Sequence, residues 1–208
     1  MGVAADIRPL SPTERLEQIL SEGRIRASVT FRTRGRQVVA FTESTQASVR
    51  RLIRDRRYMP YGVGFTKQFV FDQGGAPVLY VRGDEWADAD DLPDPLRARI
   101  VLYWPGAVWE PGDPVLFEGA EALVDPLDVE SQWLHEREWR APNDVTFGWS
   151  DVSFLVTPSP GWLADQVEHV RLAYGDEYAE YFEAIPVVAI NTDGTVLRDD
   201  TGIWQGDA

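Results

Sequence analysis

Two glutamates one residue apart, Glu136 and Glu138, sit in the run L-H-E-R-E-W-R-A-P at residues 134–142, between Trp133 and Trp139. On a β-strand, alternate side chains share a face, so both carboxylates would point the same way with Cα atoms about 6.5–7 Å apart. Carboxylates that close repel, and partial burial raises the pKa of at least one. Such a pair suits a site that stabilises a cationic transition state or positions a nucleophile. Two plainer readings stand beside it. A helix over residues 125–140 would make Glu136 and Arg140 an ordinary i,i+4 pair, with Pro142 as the stop. Even on a strand, Arg140 shares the face of the two glutamates and could neutralise them.

The elements that must hold this pair fit one domain over residues 1–198, with a frayed tail at 199–208. The chain has 208 residues, 44% of them hydrophobic and 12% aromatic, enough for a sizeable core. There is no cysteine, which excludes disulfides and thiolate metal sites, and only two histidines, His135 and His169. No apolar run reaches the roughly 20 residues that span a bilayer, and no signal-peptide core is visible at the start. The expectation is a cytoplasmic protein with no metal and no membrane partner.

Charge is uneven. Residues 1–60 carry 12 arginines against 6 acids, whereas residues 61–208 carry 8 basic residues against 28 acids. The acidic body repels a nucleic-acid backbone. The arginines could hold phosphate oxygens, or could be a solvated face.

Residues 11–23 have the clearest helix pattern, with Ser11 as cap, Pro12 at the first helical position, Glu14 closing a capping box and Gly23 as terminator. Residues 38–41 form a short buried strand ending in Thr42-Glu43-Ser44, and a basic helix follows over 44–57. Gly62-Val63-Gly64 either lets the backbone approach something closely or bends a strand; a lone G-x-G is a weak phosphate signal. Residues 69–71 and 78–81 read as strands around a turn. Residues 83–95 form an acidic solvated insert. Residues 145–157 give one or two strands. Residues 160–173 are amphipathic, with His169 a surface or half-buried residue rather than a catalyst, and a short acidic aromatic helix covers 176–184. Residues 187–191 and 195–198 form a closing hairpin with Asp193-Gly194 at its turn.

There is no G-x-S-x-G elbow for a serine nucleophile. Acids one residue apart on one strand face rarely straddle a glycosidic bond. Four ordered stretches carry a resemblance instead: L-x-x-I-L-x-x-G at 16–23, V-A-F-T-E-S at 39–44, Y-G-V-G-F at 61–65 followed by A-P-V-L-Y at 76–80, and E-R-E-W-R at 136–140. In order and spacing they resemble the AbiGi-type abortive-infection proteins of phage defence and, more distantly, DarT-like ADP-ribosyltransferases.

The resemblance implies an α+β fold with a curved, mostly antiparallel split sheet flanked by helices, ADP-ribosyltransferase-like. It implies NAD as substrate, cleaved through an oxocarbenium-like state, and a protein or nucleic-acid acceptor. By that resemblance Glu138 would hold the ribose and stabilise the cation, while Glu136 would position or deprotonate the acceptor. Thr42 and Ser44 would support the nicotinamide pocket, and Tyr61 and Phe65 would stack on the ring. The first strand, over residues 6–10, has no His-x-Thr, so Arg8 would meet the NAD phosphate or ribose. The rival expectation is a non-enzymatic acidic interaction protein, a nucleic-acid mimic or an inhibitor of a basic partner, engaging a partner protein through its acidic surface.

Overall fold

The computed structural model describes residues 10–29, 35–82, 85, 91–102 and 137–202. In chain order the elements are α1 (Pro12–Glu22), β1 (Arg24–Ile25), β2 (Val38–Thr42), α2 (Gln46–Arg54), β3 (Gly62–Phe65) and α3 (Lys67–Asp72). Next come β4 (Ala76–Pro77), β5 (Leu79–Val81), α4 (Asp94–Arg97), β6 (Ile100–Leu102), β7 (Glu138–Pro142) and β8 (Val145–Thr146). A 3-10 turn at Trp149–Asp151 leads into β9 (Val152–Thr157), α5 (Trp162–Tyr174), α6 (Asp176–Glu183), β10 (Val187–Ile190) and β11 (Val196–Asp199). The class is α+β with mostly antiparallel pairing; β9–β10 and β5–β6 are parallel.

Chain contacts gather into two compact units, each assembled from separate segments. The first takes residues 1–8, 26–44 and 71–145; the second takes 9–25, 45–70 and 146–208.

In the first unit β7 is the middle strand of a sheet ordered β2-β7-β4. β2 runs antiparallel to it, with Val38 opposite Pro142, Ala40 opposite Arg140 and Thr42 opposite Glu138. β4 pairs on the other side through Ala76 and Pro77. Val38, Val39, Val78, Ile100, Val101, Ala141 and Val145 are buried in this unit. Turn geometry fixes the edges: Gly74 has φ +78°, and a Cβ there would lie 3.5 Å from the Pro142 ring; the Ala27 N–H donates to Asp144 at 2.7 Å.

The second unit is built on a sheet ordered β11-β10-β9-β3. Its central strand β10 reads V-V-A-I, and all four residues are buried. A continuous apolar run of this kind needs cover on both faces. Val187 and Ala189 pack with Leu16 and Leu20 of α1, Leu163 and Val167 of α5, and Ala179 and Phe182 of α6. Val188 and Ile190 point the other way, onto Ile53 of α2. The parallel β9–β10 pair requires a crossover, and α5 with α6 supplies it.

Local sequence explains the ends of α1. Ser11 Oγ accepts from Glu14 N–H, Glu14 Oε2 accepts from Ser11 N–H at 2.7 Å, and Gly23 closes the helix at φ 58°. Glu14 is held below the ordinary carboxylate pKa by those bonds with Ser11. In the closing hairpin Gly194 has φ +82°, and Asp193 Oδ1 accepts from Thr195 N–H at 2.8 Å.

Two expectations are corrected. Residues 69–71 are helical, inside α3, where Thr66 Oγ1 accepts from Phe69 N–H at 3.1 Å and caps the turn. The expected fraying from Asp199 does not hold for 199–202: β11 reaches Asp199, Asp200 pairs with Arg198, and Thr201 bonds Asp199. Residues 203–208 lie outside the described residues. No helix among the described residues is long and apolar enough to cross a membrane.

Candidate functional site

Of the expected constellation, the structure gathers Glu138, Thr42 and Ser44 at one end of the β2–β7 ladder. Glu138 opens β7, so the strand reading of this stretch holds from that residue onward. Thr42 is its direct cross-strand partner. Thr42 Oγ1 donates to Ser44 Oγ at 2.8 Å and accepts from the Ser44 N–H at 3.1 Å, so the two hydroxyls form one small turn beyond the strand end.

Arg137 has φ 46°, a left-handed backbone that interrupts the period of two just before Glu138. The expectation that Glu136 and Glu138 share a face turns on Glu136, whose placement is outside the described residues. Glu136 and Arg8 lie outside the described residues, as does His135.

Arg140 occupies the face of Glu138, two residues along β7. Its Nε donates to Glu138 Oε1 at 2.7 Å, its Nη2 reaches Oε2 at 3.5 Å, and its Nη1 donates to the Ile100 carbonyl at 3.1 Å. The guanidinium side chain is 4% exposed and the carboxylate 16%. Burial makes this pairing obligatory: a guanidinium out of water must keep a counter-charge and its hydrogen bonds. The Glu138 carboxylate is thus engaged by Arg140.

Sequence reasoning missed Glu43. Its Oε1 accepts from Arg137 Nη2 at 2.8 Å, and its Oε2 accepts from the Trp139 indole N–H at 2.8 Å. The Glu43 N–H also donates to the Arg137 carbonyl at 3.2 Å. Glu43 therefore pins the left-handed residue and the tryptophan that follows Glu138. The only sequence signal was the juxtaposition of two motifs, T-E-S and E-R-E-W-R, which lie more than ninety residues apart.

Tyr61 and Phe65 belong to the second unit. The Tyr61 hydroxyl accepts from Thr13 Oγ1 at 2.9 Å. The Phe65 ring stacks on Phe69 at 4.8 Å and meets Phe147 edge-on at 5.1 Å. Packing accounts for both rings. The glycines between them have a structural use: a Cβ on Gly64 would fall 2.3 Å from the Phe154 ring lying across it. The close approach read from G-V-G is thus met by that ring. His169, expected to be at the surface or half-buried, lies exposed on α5.

Comparison with protein-family models, with curated proteins and with solved structures yields no match. Function must therefore be argued from this geometry alone.

Proposed function

We propose that the chain acts as a non-enzymatic acidic interaction protein that binds a basic partner. The observation that carries this reading is the outer surface of α5 and α6. Asp165, Glu168, Asp176, Glu177, Glu180 and Glu183 are all exposed there, against the single arginine Arg171. Among these acids stand large apolar groups: Leu172, Tyr174, Tyr178 and Tyr181 are exposed, and Tyr174 lies 6.2 Å from Tyr178. Carboxylates steer and register a cationic partner, while exposed tyrosines supply rigid, amphipathic contact area.

The reading is tested with a synthetic helical peptide carrying Arg on one face and Leu on the other. Changing Glu177, Glu180 and Glu183 to Gln should weaken binding about tenfold at low salt. Changing Tyr178 and Tyr181 to Ser should weaken it further without altering its salt dependence. Equal binding by all variants would refute it.

A second reading is favoured by one observation, the gathering of Thr42 and Ser44 beside Glu138. It makes the chain an NAD-dependent ADP-ribosyltransferase-like protein of phage–host conflict, active or degenerate, with an ADP-ribosyltransferase-like fold. The Arg140 pair would then orient Glu138 toward the ribose. This reading requires nicotinamide release from NAD by the wild-type chain and its loss in Glu138→Gln, measured on protein shown by circular dichroism to be folded.

A further inference from the structure

The second unit contains a cavity of about 460 Å³ between α1 and α5, with Tyr174 of the interaction surface among its lining residues. Its volume falls in the range of small-ligand sites, roughly 300–1,000 Å³. Leu20, Trp149, Trp162 and Phe182 supply apolar wall, and Glu14 and Glu17 supply carboxylates. Trp149 and Phe182 meet edge to face, with centroids 5.1 Å apart and planes at 88°. Among the described residues that line it there is no lysine or arginine, and His169 is the one side chain able to take up a positive charge.

We propose that this cavity binds a small organic cation with a flat apolar body, an aromatic amine or a quaternary ammonium. Indole faces attract a cation through their quadrupole, and Trp is the strongest of the aromatic side chains in this role. Glu14, held ionised by its bonds with Ser11, keeps a negative charge on the α1 side. The helix α1 is fixed by its own capping box, so the carboxylate is presented on a rigid element and little ordering accompanies binding. The wall also contains an unmet polar group: the indole N–H of Trp162 is buried and has no hydrogen-bond partner among the described residues. Trp162 itself is 6% exposed.

This inference concerns the α1–α5 cavity, which shares Tyr174 with the interaction surface, and it does not rest on the interaction reading. It is tested on the full ¹⁵N-labelled chain by titrating benzyltrimethylammonium and following the tryptophan indole resonances. Benzyl alcohol and 3-phenylpropionate serve as neutral and anionic comparators. Saturable shifts of the Trp149 and Trp162 indoles with the cation are expected, with at least about tenfold weaker response to either comparator. Glu14→Gln with Glu17→Gln should weaken cation binding by roughly three- to tenfold, because Gln preserves the capping box and removes only charge. Trp149→Leu provides a second arm that leaves both carboxylates in place and should also reduce binding. Three results would each overturn the proposal: no saturable shift at millimolar cation, equal binding of benzyl alcohol, or shifts confined to indoles other than Trp149 and Trp162.

Discussion

In the sheet β2-β7-β4 an arginine is buried beside a carboxylate, whereas in the sheet β11-β10-β9-β3 the central strand buries only Val187, Val188, Ala189 and Ile190. Both are covered, and their interior chemistry differs. The aliphatic strand asks only for volume, and any neighbour of suitable shape meets that need. The charged strand asks for specific partners at specific atoms: Glu138 for Nε and Nη2 of Arg140, and the Ile100 carbonyl for Nη1. A buried ion pair is weak evidence for stability, because desolvation offsets the attraction. It is good evidence that the register of β7 is fixed, since a slip of one residue would put Arg140 on the opposite face.

The contrast can be broken most severely at Arg140. Arg140→Ala should destabilise by about 3–5 kcal/mol in urea unfolding, because Glu138 loses its partner. The double change Arg140→Met with Glu138→Leu should recover most of that loss. If the double variant is no better than the single, the pair contributes more than charge compensation.

In the aliphatic sheet, shape is the sensitive quantity. A Cβ on Gly194 would lie 2.6 Å from the Arg50 carbonyl oxygen, at φ +82°. Gly194→Ala should cost about 1–3 kcal/mol, read from the unfolding midpoint. A smaller effect is expected at the edge of the same unit. Ser11→Ala removes one half of the capping box and should cost about 1 kcal/mol by the same measurement.

The mildest test is by pH. Asp200 is held below the ordinary aspartate pKa of 3.8, first by the hydrogen bond from Arg198 and then by the N–H of Val187. A depressed folded pKa means the stabilisation is complete above the unfolded value and is lost as pH falls from about 3.8 through the lower folded value. Arg198→Gln should lower stability slightly at neutral pH and leave it almost unchanged below the acid limb, so that the limb flattens.

Much of the second unit was legible because its signals are local. The capping box of α1, the Asp193-Gly194 turn and the spacing of α5 and α6 each act within a few residues, and each formed as read. What stayed hidden depends on distant partners. Phe69 to Phe71 has strand-like composition, yet the Thr66 hydroxyl turns it into a helix. The alternation that put Arg140 on the face of Glu138 was visible, but not that Arg140 would be buried against the Ile100 carbonyl. Glu43 could not be found at all, because its partners Arg137 and Trp139 reach it only once β2 and β7 pair. The left-handed backbone at Arg137, immediately before the strand, had no signal in the sequence.

The segments that make up the second unit have a consequence for synthesis. Leu16 and Leu20 of α1 are covered by residues as late as Val187 and Ala189. From Leu20 to Val187 a ribosome adds ~170 residues, which takes about 8–33 s at roughly 5–20 residues per second. Throughout that interval the first helix emerges with its greasy side uncovered, an exposed target for chaperones long before the strand that shields it has been made.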